Sequence, residues 1–342
     1  MKIYKSLILL LCILLAACAS PRHIPLYTQA IADAPDEPRL SVQYLGVGGH
    51  ILRYNNTTLL TAPSLSNPHL LRLGPLMPIG TDKARVDRYL PDVSDAEMIL
   101  VGHAHYDHLM DVPYIMEKHA PEAHVYGSLT MKHAIQPAVS EQRIHALNEL
   151  MGTADTPGSW IYSRSGRIRI MPLRSAHAPH FMGITLMQGQ YSAARQTLPW
   201  HAFGWKEGQT MAYLIDFLSA DSRQPVFRIF YQDSASQAPA GLVPPLGDGK
   251  SIDIAILCAA SFAQIKNYPE SVMHNTQAGH FIIGHWEDFF ANDLSKPQRF
   301  VRAIDQDEFM RRFRLALPHN SSWALPGLFS VQYFNHQGFI AQ

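Results

Sequence analysis

Residues 103–108 read His-Ala-His-Tyr-Asp-His, crowding three imidazoles and a carboxylate into one hexapeptide. Imidazole and carboxylate without thiolate are ligands for zinc and, with less preference, for manganese or iron. In an extended segment His103 and His105 project to the same side, whereas Asp107 and His108 reach a neighbouring point only if the chain turns into a helix there. One loop of this kind can serve two metals. It directly follows the apolar run "EMILVG", residues 97–102, which reads as a strand that would fix one end of the loop.

The pattern His-x-His-x-Asp-His behind a strand resembles the signature of the metallo-β-lactamase superfamily, matched here at His103, His105, Asp107 and His108. The resemblance spans Leu40 to Phe290 and implies the remaining ligands by order and distance. His177 in "LRSAHAPH" takes the place of the third histidine of the first metal, ahead of His180, which is left beside a ligand or facing substrate. Asp233 in "FRIFYQDSAS" corresponds to the carboxylate that bridges both metals. His285 in "GHWEDFF" corresponds to the last histidine of the second metal, ahead of His280 and His274. The implied cofactor is a pair of divalent ions, zinc foremost and manganese or iron(II) as alternatives, sharing a water whose pKa falls toward neutrality. Asp107 would ligate the second ion and orient the resulting hydroxide, giving hydrolysis without a serine or cysteine nucleophile. The implied fold is α/β, a four-layer αβ/βα sandwich of two mixed β-sheets flanked by helices, with the metals at the edge between the sheets.

His285-Trp286 followed shortly by Phe289 is similar to the branch that contains ascorbate-phosphate lactonases and N-acylphosphatidylethanolamine phospholipase D. A phosphodiesterase acting on a lipid or other apolar substrate is the first expectation. Lactone or other carboxylic-ester or amide hydrolysis is the second, and a non-catalytic metal-binding envelope protein the third. The last is suggested by a departure: Thr61-Ala62-Pro63 stands where relatives usually carry Thr-Asp-Pro, an aspartate that orients a ligand. The family's frequent Gly-His after the first strand is Gly46-Val47 here, and His50 is out of register with it. Two stretches, 62–80 and 180–205, are rich in Leu, Pro, Met and Trp, with Met182, Met187, Trp200, Phe203 and Trp205 in the second. They either complete the core or wall the site for a greasy substrate. Trp200 and Trp286 are, with His180, candidates for residues beside a ligand or against substrate.

The elements that must carry these residues are short β-rich runs between turn signals, among them "SVQYLGV", "TTLLTA", "RIRIMPL", "MAYLIDF", "VFRIFYQ", "IDIAILCA" and "HFIIGH". Helical patterns lie between them: "DVPYIMEKHAPEA", "LTMKHAIQPAVS", "NYPESVMHNTQAG" and "DQDEFMRRFRLAL". No repeat and no second linker interrupts residues 40–342, which read as one α/β domain, by resemblance a metallo-β-lactamase-like hydrolase domain. Two lysines and then an uncharged apolar run, Ser6 to Ala17, form a segment too short for a permanent membrane span and suited to export. Leu15-Ala16-Ala17-Cys18 resembles a bacterial lipobox, which implies a signal peptide over 1–17, acyl chains on Cys18 and a proline-containing tether over 18–39. Alanine after the cysteine favours the periplasmic face of the outer membrane in a bacterial cell envelope. Cys258, inside an apolar run, is expected to be a small buried hydrophobe. The 28 basic and 28 acidic residues balance, without a basic stripe, which argues against a nucleic-acid partner.

Overall fold

The computed structural model describes Leu26 and residues 39–340 apart from 181, 303, 336 and 337. The expected signal segment and Cys18 lie outside the described residues. The first half of the chain supplies β1 (Leu40–Gly46), β2 (Gly49–Tyr54), β3 (Thr57–Thr61), β4 (Ala96–Leu100), β5 (His124–Gly127) and β6 (Ile144–Ala146). The second supplies β7 (Ile161–Tyr162), β8 (Ile168–Arg174), β9 (Met211–Leu218), β10 (Pro225–Tyr231), β11 (Ile254–Cys258), β12 (His280–Gly284) and β13 (Ser322–Ala324), and the chain ends in β14 (Val331–Asn335) and β15 (Gly338–Phe339). One sheet runs β15-β14-β1-β2-β3-β4-β5-β6 and the other β13-β12-β11-β10-β9-β8-β7. Both are mixed. Pairing is antiparallel from β15 to β3 and from β7 to β10, and parallel from β3 to β6 and from β10 to β13.

Period-two alternation builds the layers. In β9, Met211, Tyr213, Ile215 and Phe217 enter the core between the sheets, while Ala212 and Leu214 face away from it. In the same way Met98 and Leu100 of β4 point inward and Ile99 points outward. Because both faces are apolar, each sheet also needs an outer cover. Val86 of α1 (Lys83–Tyr89), Ile115 and Met116 of α3 (Val112–Lys118) and Met131 and Ile135 of α4 (Leu129–Ile135) pack on the outer face of the first sheet; α2 (Tyr106–Leu109) is a single turn among them. Val272 and Met273 of α5 (Glu270–Thr276) and Phe309, Met310 and Phe313 of α6 (Gln306–Ala316) cover the second. The result is the four-layer αβ/βα sandwich implied by the sequence.

Boundaries differ from expectation where proline intervenes. α3 stops at Lys118 instead of continuing to Ala123, since Pro121 supplies no N–H and biases the preceding residue out of helix. α4 stops before Pro137 for the same reason, and begins where the Ser128 hydroxyl accepts the Met131 N–H at 3.1 Å.

Candidate metal centre

Four strand ends deliver the candidate ligands. The hexapeptide follows β4 of the first sheet; His177 follows β8, Asp233 follows β10 and His285 follows β12, all of the second sheet. The hexapeptide begins extended and then makes the helical turn α2, with His105 at its N-terminal boundary (φ −68°, ψ 160°), so Asp107 and His108 swing toward a second point as the ligand spacing required. Its root is tied to the opposite sheet, where the Met211 N–H donates to the Gly102 carbonyl at 2.7 Å.

The structure brings all seven candidates together. Three overlapping triads have ligand atoms within 4.8 Å of one another: His103, His105 and His177; His103, His108 and Asp233; and Asp107, His108 and His285. Asp233 stands between the outer two. Its Oδ1 lies 3.0 Å from His103 Nδ1, and its Oδ2 lies 3.3 Å from His108 Nδ1 and accepts the Gly102 N–H at 3.0 Å. Asp107 Oδ2 is 3.5 Å from both His108 Nε2 and His285 Nε2.

The donor set fits divalent ions. His103 Nδ1 faces the Asp233 carboxylate, and the His177 Nδ1–H donates to the Ala178 carbonyl at 2.6 Å, which leaves the Nε2 lone pair of each ring for another partner. Buried Nε2 atoms of His103 and His105, both ring nitrogens of His108 and Nδ1 of His285 have no hydrogen-bond partner among the described residues. Buried polar atoms left so are costly unless something else satisfies them. Burial, reinforced by the neighbouring imidazoles, holds His105, His108 and His177 well below the usual histidine pKa, in the neutral form a cation requires. Burial also opposes protonation of His103, but the Asp233 carboxylate outweighs it and the net shift is upward. Burial opposes ionisation of Asp107, yet its contact with His285 and the charge of His103 hold it below the usual carboxylate range.

A cavity of about 380 Å³ opens over these residues, with Asp107, His105, His177, His180, Asp233 and His285 on its floor. Leu70, Leu73, Leu186, Met187, Phe203, Phe289 and Phe290 form much of the wall, so the stretches around 62–80 and 180–205 do supply an apolar lining. His180 stacks on His177 at 4.7 Å, and burial pushes it down to about 4. The Leu186 N–H donates to its Nδ1 at 3.1 Å, which places the proton of the neutral ring on Nε2.

The expectations for Trp200 and Trp286 are corrected. Trp200 is half exposed beside His201 and is absent from the cavity lining. Trp286 follows His285 but turns into the outer core, where its indole N–H donates to the Pro326 carbonyl at 3.0 Å; it does not face the cavity. Trp205 is likewise buried core and Met182 is exposed. His280, an alternative to His285, is satisfied by Ser322 and Gln332 at 2.7 and 2.8 Å. Cys258 is buried, and burial drives its thiol far above the usual range, although it reaches the cavity floor. Ala62 is fully buried and brings no acceptor side chain to the site.

Sequence reasoning passed over the parts that hold His285. This residue has φ 50°, an uncommon conformation for a side chain larger than glycine. Its N–H donates to the Val47 carbonyl at 2.8 Å and is 3.1 Å from the Tyr44 hydroxyl. That hydroxyl donates to the fully buried Glu287 carboxylate, which also accepts the Val47 N–H at 2.6 Å. The one available signal was Glu287 itself, an acidic residue two positions after a candidate ligand.

No family model and no curated protein matches the chain. Among solved structures it is similar to Igni18, a metallo hydrolase of the hyperthermophilic archaeon Ignicoccus hospitalis, with 12% identity over 87% of this chain and 99% of that one and a TM-score of 0.49. It is similar to CmlA, a diiron β-hydroxylase of Streptomyces venezuelae, with 12% identity over 88% of this chain and 55% of that one and a TM-score of 0.49. It is also similar to an isothiocyanate hydrolase from Delia radicum gut bacteria, with 11% identity over 85% of this chain and 98% of that one and a TM-score of 0.47.

Proposed function

We propose that the protein is a dinuclear-metal hydrolase, of the metallo-β-lactamase type, that cleaves phosphodiesters of lipid or otherwise apolar substrates. The observation that carries this reading is the convergence of seven His and Asp side chains as overlapping triads joined at His103 and His108. His103, His105 and His177 would hold one ion, Asp107, His108 and His285 the other, with Asp233 between them. When bound, such ions supply Lewis acidity, which acidifies water and stabilises negative charge that develops on a phosphoryl or carbonyl oxygen.

The chain's own side chains do the rest. Asp107, kept ionised and set at the cavity floor, accepts a hydrogen bond from the attacking water and orients it. His180, neutral at physiological pH, offers an Nε2–H donor to an oxygen of the substrate. The leucine, methionine and phenylalanine walls exclude water and hold the apolar part of the substrate. That lining favours a lipid-like phosphodiester over a small polar ester.

The full chain, purified and metal-loaded, is assayed against bis-p-nitrophenyl phosphate and against p-nitrophenyl acyl esters and lactones. Two ions per chain and metal-dependent turnover of the phosphodiester are expected, with loss of at least one ion in His105→Ala. Ester or lactone turnover alone would replace the phosphodiesterase reading, and two bound ions with no turnover would replace hydrolysis by the binding-protein reading.

The lipobox-like Leu15-Ala16-Ala17-Cys18 supports a further part of the proposal: anchoring through acylated Cys18, on the periplasmic side of a bacterial outer membrane. Mass spectrometry of the mature N-terminus tests it, and an unmodified Cys18 in the mature chain would sink it.

A further inference from the structure

Resting on the hydrolase reading, we infer that Arg302 recognises an anionic group and makes the cavity selective for anionic amphiphiles. Among the described residues that line the cavity, Arg302 is the sole arginine or lysine. It stands on the same wall as Phe289, Phe290, Val301 and Ile304, so a cation is presented within an otherwise apolar surface. The Arg302 side chain is 36% exposed, so solvent screens its charge in part, but an oxyanion brought against this wall meets it directly.

The arginine is placed by the segment that follows His285. Glu287 pairs with Phe300 in an isolated antiparallel bridge, the Val301 N–H donates to the Trp286 carbonyl at 2.8 Å, and the Asp288 N–H donates to the Arg299 carbonyl at 2.7 Å. Backbone hydrogen bonds therefore tie the segment of Arg302 to the one that carries the candidate ligand His285. Its Nε donates to the Asp288 carboxylate at 2.9 Å, and Arg299 Nε lies 3.7 Å from the same oxygen. One nearly buried carboxylate thus faces two guanidinium groups, so the cluster of Arg299, Arg302 and Asp288 carries one net positive charge. A pair with Asp288 through Nε also fixes the plane of the guanidinium, which is the arrangement that suits a planar or tetrahedral oxyanion better than a lysine would.

The ligand chemistry that matches this wall is an alkyl or acyl chain carrying phosphate or carboxylate. The chain would lie against Leu70, Leu73, Met187 and Phe203, and the oxyanion would meet Arg302. A neutral alcohol of the same length would fill the apolar part alone.

Calorimetric titration of the full chain with hexyl phosphate, hexanoate and 1-hexanol, metal-loaded and metal-stripped, separates these contributions. In the metal-stripped protein, hexyl phosphate and hexanoate should bind on the order of tenfold more tightly than hexanol, the scale of one charge-assisted contact. Arg302→Gln should erase that preference while leaving hexanol affinity and metal content unchanged, and Arg302→Lys should restore only part of it. Equal binding of anionic and neutral probes by the wild type, or an Arg302→Gln variant that keeps the preference, overturns the assignment. Selective binding without any metal-dependent turnover would instead leave the assignment standing and defeat the hydrolase reading.

Discussion

At position 102 the missing side chain decides how near Asp233 can come. A Cβ on Gly102 would lie 2.2 Å from Asp233 Oδ1 and 2.5 Å from Oδ2, closer than atoms can pack. Gly48 does the same for His108, with a Cβ only 2.8 Å from Nδ1. Gly102→Ala should therefore displace the Asp233 carboxylate. A displacement of about 1 Å can lower turnover roughly 100-fold, and metal analysis should show fewer than two tightly held ions; an alanine variant with full metal content and wild-type turnover would refute this. The seven ligand types were legible because few other side chains can serve a cation and their order matched a familiar pattern. The glycines were not legible, because the need for them arises only when another strand end arrives. Trp200 and Trp286 show the opposite error: an aromatic near a motif suggests a substrate contact, but only packing decides which way the ring faces.

At the scale of elements, the end of β12 is the part most dependent on outside support. His285 leaves the strand in a left-handed conformation, held by the Val47 carbonyl and by the Tyr44 hydroxyl that Glu287 orients. Tyr44→Phe keeps the buried ring and removes this oxygen. Affinity for the ion assigned to Asp107, His108 and His285 should fall about 10- to 100-fold, read by competition with a chromophoric chelator, while the other ion binds as before. Unchanged affinity for both would show that the clamp is dispensable. The long strands were readable because a β-rich apolar run of five or more residues between turn signals is a strong signal, as in β9 and β12. β6, β7, β13, β14 and β15 were missed: all but the five-residue β14 have two or three residues, too few to display a period, and their pairing comes from the neighbour strand.

Across the whole molecule, the two sheets are also joined through a buried polar link. His280 on β12 contacts Ser322 on β13 and Gln332 on β14, so it connects the second sheet to the first. Burial lowers its pKa from 6.5 to about 4. The sign follows from linkage: a depressed folded-state value means that protonation favours the unfolded chain, so the stability is fully present above pH 6.5 and is lost as pH falls through about 4. The full loss is about 3 kcal/mol. Denaturant unfolding midpoints should fall over this window, and His280→Gln should fall less steeply; parallel pH profiles for the two proteins would exclude His280 as the cause.

The division of the ligands between sheets has one more outcome. Residues 103–108 are made early, on one layer, and His285 arrives late, on the other. No fragment ending before β12 owns a complete set, so tight loading would certify that translation and docking of both halves are finished. Ions held there would act as a rivet across a long chain loop, a closure that would resist unravelling from either end.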